Sequence, residues 1–294
     1  MSPILIVGAG YSGARLAHHL HTAGVEILTT RTRSPDNPPA WPVVVSTLDA
    51  PTDTVALSTA LTGHERWRVI VLVPPSPAVD RASQLEPRLQ ALLDCLGARA
   101  ERIVYVSTTG VYGDQGGGRV DENTPVNPES RRAKARVAAE RTLLQWTQPR
   151  EMTSVILRVA GIYGPDRLPL RALADQQPVV RDADSGPGNR IQVDDLVACY
   201  QAALTDSAPP PIVNVCDGDL RTTAAFNRDV ARLAQLPAPK EITLDDALKT
   251  FSPMRLSFIN ERRAIDNQLL DDWLGERLRY RDPIAGIRAS LAAR

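Results

Sequence analysis

The amino-acid sequence predicts an α/β protein, in which a doubly wound parallel sheet is joined to a smaller, discontinuous lobe in the C-terminal half. Short apolar runs alternate with helix-period segments over the first half of the chain, and this pattern is typical of a parallel sheet covered on both faces. A glycine-rich turn follows the first apolar run. The alternation ends near Tyr163, where Gly- and Pro-rich segments begin. These three observations carry the prediction.

The elements follow from the same patterns in chain order. The β-rich runs predict strands at Ile4–Val7, Glu26–Thr30, Val43–Ser46, Val69–Val73, Ile103–Ser107, Val155–Val159 and Ile212–Val215. Helical periodicity predicts helices at Ala14–Ala23, Gln84–Leu96, Arg132–Gln145 and Asp195–Leu204. From about Leu220 onward we expect helices joined by loops. The predicted domains are 1–164 with 189–216, which carry the sheet, and 165–188 with 217–294, which form the small substrate lobe.

Composition limits the classes of function. The chain has 294 residues, 43% of them hydrophobic, and its 34 basic residues balance 34 acidic ones. Proteins that bind nucleic acid or membrane surfaces usually carry a basic surplus, so neither partner is expected. No run approaches the ~18 apolar residues of a membrane span, and three scattered cysteines form no metal or disulfide pattern. We expect a soluble cytoplasmic protein, monomer or homodimer, with a small-molecule substrate and no metal.

A strand, a glycine-rich turn and an amphipathic helix open the chain. The strand runs directly into the G-x-G-x-x-G pattern GAGYSG. Its first glycine permits the tight turn, the second lets the backbone approach a pyrophosphate, and the third lets helix and strand pack closely. The N-terminus of the helix then favours the phosphates. The pattern predicts a Rossmann dinucleotide site, whose cofactor-binding residues are Gly8, Gly10, Tyr11, Ser12 and Gly13, with Val73 and Pro74 at the end of the fourth strand.

The end of the second predicted strand bears on the choice between NAD and NADP. An Asp or Glu about 20 residues beyond the glycines would bind the ribose 2′-hydroxyl of NAD. Here the strand ends in Arg31-Thr32-Arg33, with no carboxylate before Asp36. Guanidinium groups bind phosphate in bidentate fashion. Arg31 and Arg33 therefore favour NADP, with NAD as the alternative.

Together with the glycine turn, the block VSTTGVYG (106–113) resembles the extended short-chain dehydrogenase/reductases, and more narrowly the NAD-dependent epimerase/dehydratase family. Further blocks match in order: VDENTPVNP, RVAGIYGP, RIQVDDL and NVCDGD. The resemblance implies hydride chemistry, commonly on nucleotide sugars. It also implies that a Ser or Thr and a Tyr-x-x-x-Lys pair handle the proton of the substrate hydroxyl. Thr108 matches the Ser/Thr position.

The Tyr-x-x-x-Lys pair should lie in PESRRAKARVAAE (128–140), where two registers are open. Anchoring on Lys134 places Ser130 at the tyrosine position. The family also tends to carry a glutamate four residues after the lysine. Anchoring on Glu140 instead places Arg136 at the lysine position and Arg132 at the tyrosine position, and this register is preferred. Neither register supplies a phenol, and arginine stays protonated at any working pH. The resemblance is therefore to an atypical subgroup that keeps the glycines but lacks the usual tetrad.

The resemblance distributes the remaining roles. The candidate catalytic residues are Thr108, Tyr112, Arg132 and Arg136. Thr108 would orient the substrate oxygen, Arg136 would hold the cofactor ribose, and Tyr112 or a water would give the proton. The candidate substrate-binding residues are Tyr163, Arg167 and Arg190.

Two functions follow from the intact glycines and the missing phenol. One is an NADP-dependent oxidoreductase of epimerase/dehydratase or reductase type, acting on an unknown nucleotide-sugar or carbonyl substrate. The other is a catalytically silent NADP(H)-binding redox sensor or regulatory protein.

Overall fold

The computed structural model describes residues 2–49, 52–76 and 85–293. The chain divides into two compact units. Unit 1 contains Met1–Thr108, Arg131–Arg158 and Val197–Val213, and unit 2 contains Thr109–Ser130, Val159–Leu196 and Asn214–Arg294. The domain boundaries predicted from the sequence differ from these limits and stay a prediction.

The chain forms short strands in both units. They are β1 (Ile4–Val7), β2 (Ile27–Arg31), β3 (Val43–Val45), β4 (Trp67–Val71), β5 (Ala100–Thr108), β6 (Arg119–Val120), β7 (Thr153–Val159), β8 (Gly161–Tyr163), β9 (Val179–Val180), β10 (Arg190–Gln192), β11 (Ile212–Val215), β12 (Glu241–Ile242) and β13 (Ala264–Ile265). Seven of them build the parallel sheet of the predicted α/β fold, in the order β11-β7-β5-β4-β1-β2-β3.

Helices follow most strands. They are α1 (Tyr11–Thr22), α2 (Asp53–Leu61), α3 (Pro87–Leu96), α4 (Arg131–Thr147), α5 (Leu170–Ala174), α6 (Val193–Thr205), α7 (Thr223–Leu233), α8 (Leu244–Thr250), α9 (Pro253–Ile259), α10 (Gln268–Leu274) and α11 (Pro283–Ala292). Among the helices of the described ranges, none combines the length and apolarity that a membrane span requires.

The seven predicted sheet strands are all present, with β1 and β11 at their predicted bounds. The fourth strand ends at Val71 instead of Val73, so Val73 and Pro74 lie in the loop that follows it. Helix α1 begins at Tyr11, three residues before its predicted start, because the turn residues already take helical geometry. Helix α2 is not among the predicted elements. The predicted start of α3 at Gln84 lies outside the described residues.

Unit 1 has a core on each face of its sheet. Leu5 and Val7 pack with leucines of α2 and α3 and with Ala139, Leu143 and Trp146 of α4. Because side chains alternate along a strand, Ile4 and Ile6 point to the other face, where they are fully buried. Burial on both faces explains the continuous apolar runs of the sequence.

Unit 2 combines small sheets with helices. Its strands pair in parallel as β8 with β10, β9 with β12, and β6 with β13. A separate apolar core joins Tyr163, Phe226, Val230 and Ile287, which come from β8, α7 and α11. The C-terminal segment beyond Leu220 is mainly helical, as predicted.

Candidate functional site

The turn from Gly8 to Gly13 is shaped by close packing at its two ends. Gly8 has a φ of +101°, and a Cβ there would lie 2.8 Å from Val73 Cγ1. At Gly13 a Cβ would lie 2.4 Å from the Gly8 carbonyl oxygen. At Gly10, which has a φ of −82°, no atom of the described residues lies within 4 Å of the Cβ position. Packing therefore requires the outer glycines, whereas the middle one borders open space at the start of α1.

Strand β2 holds this turn in place. The Gly8 and Ala9 N–H groups donate to the side-chain and backbone oxygens of Thr30, at 3.1 and 2.9 Å. The Arg31 Nε donates back to the Ala9 carbonyl oxygen at 3.0 Å. Arg31, at the end of β2, thus supports the turn, and its removal would loosen the turn as well as remove a charge.

A cavity of about 710 Å³ opens beside the turn. Its walls include six of the predicted cofactor residues, namely Gly8, Gly10, Arg31, Arg33, Val73 and Pro74. Tyr11, Ser12 and Gly13 lie in the first turn of α1 and are not among the wall residues. The walls also include Thr30, Ser46 and Asp36, which were not predicted as site residues. The volume falls within the usual range of ~300–1,000 Å³ for ligand and cofactor sites.

Helix α4 presents Arg136 to the end of β5. The Arg136 guanidinium donates through one nitrogen to the Val106 carbonyl oxygen at 2.6 Å and to the Tyr105 hydroxyl at 3.1 Å. Burial raises the pKa of Tyr105 to about 12, although the neighbouring Arg136 acts to lower it. The phenol therefore stays protonated and serves as a fixed partner for Arg136.

The same helix separates the two registers proposed for the missing Tyr-x-x-x-Lys pair. Arg132 and Lys134 are exposed, whereas Arg136 is partly buried against β5. Since residues two apart lie on nearly opposite faces of a helix, only one of positions 134 and 136 can face the sheet. The inward position belongs to Arg136, as the register anchored on Glu140 requires. The catalytic roles proposed for Arg132 and Arg136 stay predictions.

One turn further along α4, Glu140 forms a buried ion pair. Its carboxylate accepts from Arg158 of β7 at 2.8 Å, and the two side chains are only 7% and 6% exposed. It also accepts a short hydrogen bond from the Ser107 hydroxyl. Glu140 thus joins α4, β5 and β7 at the residue that precedes Thr108.

In unit 2, Tyr112 lies in the interior. Its side chain is fully buried, and its hydroxyl donates to Asn214 Oδ1 at 2.8 Å. The Asn214 N–H donates in turn to Glu122 Oε1 at 2.7 Å. Because this hydroxyl is committed to an internal hydrogen bond, Tyr112 acts as an anchor of the fold. We do not propose it as the proton donor.

Two of the three predicted substrate-binding residues meet at Phe226. The Tyr163 ring packs edge-on against it, with centroids 5.3 Å apart, and the Arg190 guanidinium lies 4.5 Å from its centroid. Arg190 also donates to the Arg221 carbonyl oxygen at 2.9 Å and to Thr223 Oγ1 at 3.2 Å. Arg167 is exposed and does not belong to this cluster. Arg190 thus has a structural role in unit 2, and its substrate role stays a prediction.

Sequence reasoning missed Asp217, which lies in the NVCDGD block. The residue is 7% exposed, and its Oδ1 accepts from the Asp219 N–H at 3.1 Å, whereas its Oδ2 is buried with no hydrogen-bond partner among the described residues. Burial raises the pKa of Asp217 to about 7. The negative charge of Asp219 also acts to raise it, whereas the positive charge of Arg190 acts to lower it. The NVCDGD block contributed only to the family resemblance, and its residue types do not predict that this acid is buried.

Asp217 leads to a pH prediction for unit 2. The unfolded carboxyl ionises near its ordinary value of 3.8, while the folded one keeps its proton until about pH 7. The free energy of unfolding should therefore fall as pH rises through this window, by at most ~1.4 kcal/mol per pH unit. Urea unfolding between pH 4 and pH 8 measures this fall in the wild type and in Asp217→Asn, which should lack the part of the fall that Asp217 causes. The exposed Asp272→Asn is the control, and parallel profiles for wild type and Asp217→Asn would contradict the prediction.

Comparison with known proteins agrees with this arrangement. The profile of the NAD dependent epimerase/dehydratase family matches residues 4–216. The Escherichia coli (strain K12) protein YeeZ is 31% identical over 198 residues, which span 67% of this chain and 65% of YeeZ, slightly less than two thirds of that relative.

Solved structures resemble this chain over its full length, and two of them illustrate the likeness. A functionally unknown conserved protein from Silicibacter pomeroyi DSS is 27% identical, with a TM-score of 0.82 over 100% of this chain and 99% of that one. The UDP-glucose 4-epimerase of Thermus thermophilus, solved with NAD, shares the fold at 22% identity, with a TM-score of 0.75 over 99% and 98% of the two chains. With the family profile covering most of its length, this chain belongs to the NAD-dependent epimerase/dehydratase family.

Proposed function

We propose that this protein is an NADP-preferring oxidoreductase of atypical short-chain type, which acts on a nucleotide-sugar or carbonyl substrate. The observation that carries the proposal is the cavity beside the glycine turn. It has the size of a cofactor site, borders the open space at Gly10 and is lined by Arg31 and Arg33. Family membership supports the reaction class.

The residues of unit 1 fit a dinucleotide. Gly8 and Gly13 bring strand and helix so close that a side chain at either position would collide, and Gly10 leaves room for a pyrophosphate at the start of α1. Tyr11 and Ser12 would offer their backbone N–H groups there, with Val73 and Pro74 as the opposite wall. When bound, the nicotinamide would supply hydride transfer.

The chain's own residues would orient the reactants. We propose that the Thr108 hydroxyl positions the substrate oxygen and that Arg136, fixed by Val106 and Tyr105, holds the cofactor ribose. Arginine cannot exchange a proton at working pH. The exposed Arg132 therefore cannot replace the missing phenol, and a water molecule is the proposed proton donor. In unit 2, Tyr163, Arg167 and Arg190 remain the proposed substrate contacts.

The two arginines of the cavity should differ in their effects on binding. We expect Arg33→Ala to weaken NADPH binding about tenfold, the equivalent of ~1.4 kcal/mol, with little change for NADH, because the exposed Arg33 would contact only the 2′-phosphate. Arg31→Ala should weaken both nucleotides, because it also removes the hydrogen bond to Ala9. Isothermal titration calorimetry with both nucleotides measures these changes.

Lys134→Ala provides the control, since that side chain is exposed on α4. If wild type binds NADH more tightly than NADPH, the cofactor preference is wrong, and Asp36 becomes the candidate to bind the ribose. If neither nucleotide binds, the proposed function itself is wrong.

The absence of a phenol at position 132 favours a second candidate, a catalytically silent NADP(H)-binding sensor. Oxidation of NADPH with a panel of carbonyl compounds and nucleotide sugars separates the two. An enzyme should lose activity in Thr108→Ala and Arg136→Ala but keep it in Lys134→Ala. If the wild-type protein binds NADPH but turns over no member of the panel, the sensor is favoured.

We also propose a cytoplasmic location and a monomer or homodimer with no nucleic-acid or membrane partner. The zero formal net charge and the three free cysteines support this part of the proposal.

A further inference from the structure

The wall of the nucleotide cavity that follows β4 is held from outside the cavity by two side chains. Glu86, only 1% exposed, accepts from the Ser76 N–H at 2.7 Å. The same carboxylate accepts from the N–H groups of Arg88 and Leu89, at 3.2 and 2.7 Å, and so caps α3. Glu86 thereby fixes the start of α3 to the loop that contains Pro74.

Arg88 extends this connection to a second wall. Its NH1 donates to the Pro74 carbonyl oxygen at 3.2 Å, and its Nε lies 2.5 Å from Asp49 Oδ1. Pro74 lines the cavity directly, and Asp49 follows Ser46, which lines it on the β3 side. A single guanidinium therefore links the chain after β3 to the chain after β4.

We propose that Arg88 is a positioning residue for nucleotide binding, which fixes the distance between the Pro74 and Ser46 walls of the cavity. The inference rests on the proposed function of that cavity. Arg88 is not among the cavity-lining residues, so it would act through Pro74 and Asp49 rather than by contact with the ligand. A wall fixed before binding need not be ordered by the nucleotide, and this lowers the cost of association.

Because the ion pair of Arg88 and Asp49 is partly exposed, a positioning role can be distinguished from a structural one. The Arg88 and Asp49 side chains are 22% and 50% exposed, and ion pairs of this kind contribute little to folding stability. Loss of Arg88 should therefore change the unfolding temperature of the free protein by no more than ~3 °C. Its effect on nucleotide affinity should be the larger one.

The test measures NADPH and NADH affinity together with the unfolding temperature of the free protein. We expect Arg88→Ala to weaken both nucleotides about tenfold and the adenosine fragment 2′,5′-ADP by a similar factor, because the walls flank the cavity that contains Arg31 and Arg33. Arg88→Lys keeps the charge near Asp49 but lacks the planar fork that spans both partners, so its affinities should lie between those of wild type and Arg88→Ala. Arg66→Ala, which removes an exposed arginine elsewhere in unit 1, should bind as wild type does.

The outcomes are distinguishable. Wild-type binding that survives unchanged in Arg88→Ala overturns the positioning role and leaves the proposed function intact. Weaker binding that is matched by a large fall in the unfolding temperature, in Arg88→Lys as well as in Arg88→Ala, also overturns it, because the effect is then structural. No binding of any nucleotide by wild type overturns both proposals.

Discussion

Gly13→Ala is expected to lower the free energy of unfolding by at least ~3 kcal/mol, the upper end of ordinary overpacking, and to reduce soluble expression. The added methyl would lie 2.4 Å from the Gly8 carbonyl oxygen and 2.8 Å from Leu72 Cδ1. The leucine can change rotamer, but the carbonyl belongs to the turn that joins β1 to α1. Helix and strand would have to separate where Gly13, which is buried, packs against the turn. Urea unfolding followed by circular dichroism measures the loss.

Gly10→Ala is the matched comparison within the same motif. Its Cβ meets no described atom within 4 Å and its φ is negative, so stability should stay within ~0.5 kcal/mol of wild type. NADPH affinity should fall at least tenfold, because the methyl occupies the space proposed for the pyrophosphate. Gly63→Ala, which also places its Cβ in open space, should leave both quantities unchanged. Equal destabilisation by Gly10→Ala and Gly13→Ala would contradict this division of roles.

The three glycines show which part of the structure can be predicted from sequence. Each acts on residues close to it in the chain or on the neighbouring strand, so the spacing alone indicates the turn, the strand before it and the helix after it. Continuous apolar runs predicted a sheet buried on both faces for the same reason, because burial acts on each strand separately. These local signals were sufficient for the seven strands, whereas the family was indicated by several sequence blocks in order along the chain.

Helix α4 shows an intermediate case. Two residues of separation place Lys134 and Arg136 on nearly opposite faces, so the sequence reduced the choice to two registers. It could not identify the inward face from the helix itself, because cations occur on both sides of it. The family's tendency to place a glutamate at position 140 favoured one register, and the contacts of Arg136 with β5 agree with it.

The remaining site features depend on contacts between distant segments. Tyr105 belongs to an apolar strand, and its hydrogen bond to Arg136 joins residues 31 positions apart. Glu86 before Pro87 carries a helix-start signal, since proline is favoured at the first helical position, but its bond to Ser76 has no local signal. The buried acid Asp217 likewise depends on its surroundings in unit 2. Tertiary packing determines such contacts, and residue types and spacing do not predict the individual partners.

Removal of one partner of the buried ion pair between Glu140 and Arg158 should lower the free energy of unfolding at least as much as Gly13→Ala does. Glu140→Ala leaves the Arg158 guanidinium, 6% exposed, without its carboxylate, and removal of one partner of a buried ion pair typically lowers stability by ~3–5 kcal/mol. Arg158→Met should also destabilise, because the Glu140 charge remains. Replacement of both residues, in the double variant Glu140→Leu with Arg158→Met, should recover much of the lost stability. Hydrophobic residues of similar volume then fill the site, and no charge is left buried without a partner.

Urea unfolding followed by tryptophan fluorescence measures this cycle, since Trp146 lies in the same α4 core. The exposed Lys134→Ala on that helix should change stability by less than ~0.5 kcal/mol. A double variant as unstable as Glu140→Ala would show that the shape of the site, and not the unpaired charge, sets the loss. Nucleotide binding adds a second readout, because Glu140 also holds Ser107 beside Thr108. If the double variant recovers stability but not NADPH affinity, the ion pair serves to fix the end of β5, whose position the cofactor requires, and its contribution to folding is secondary.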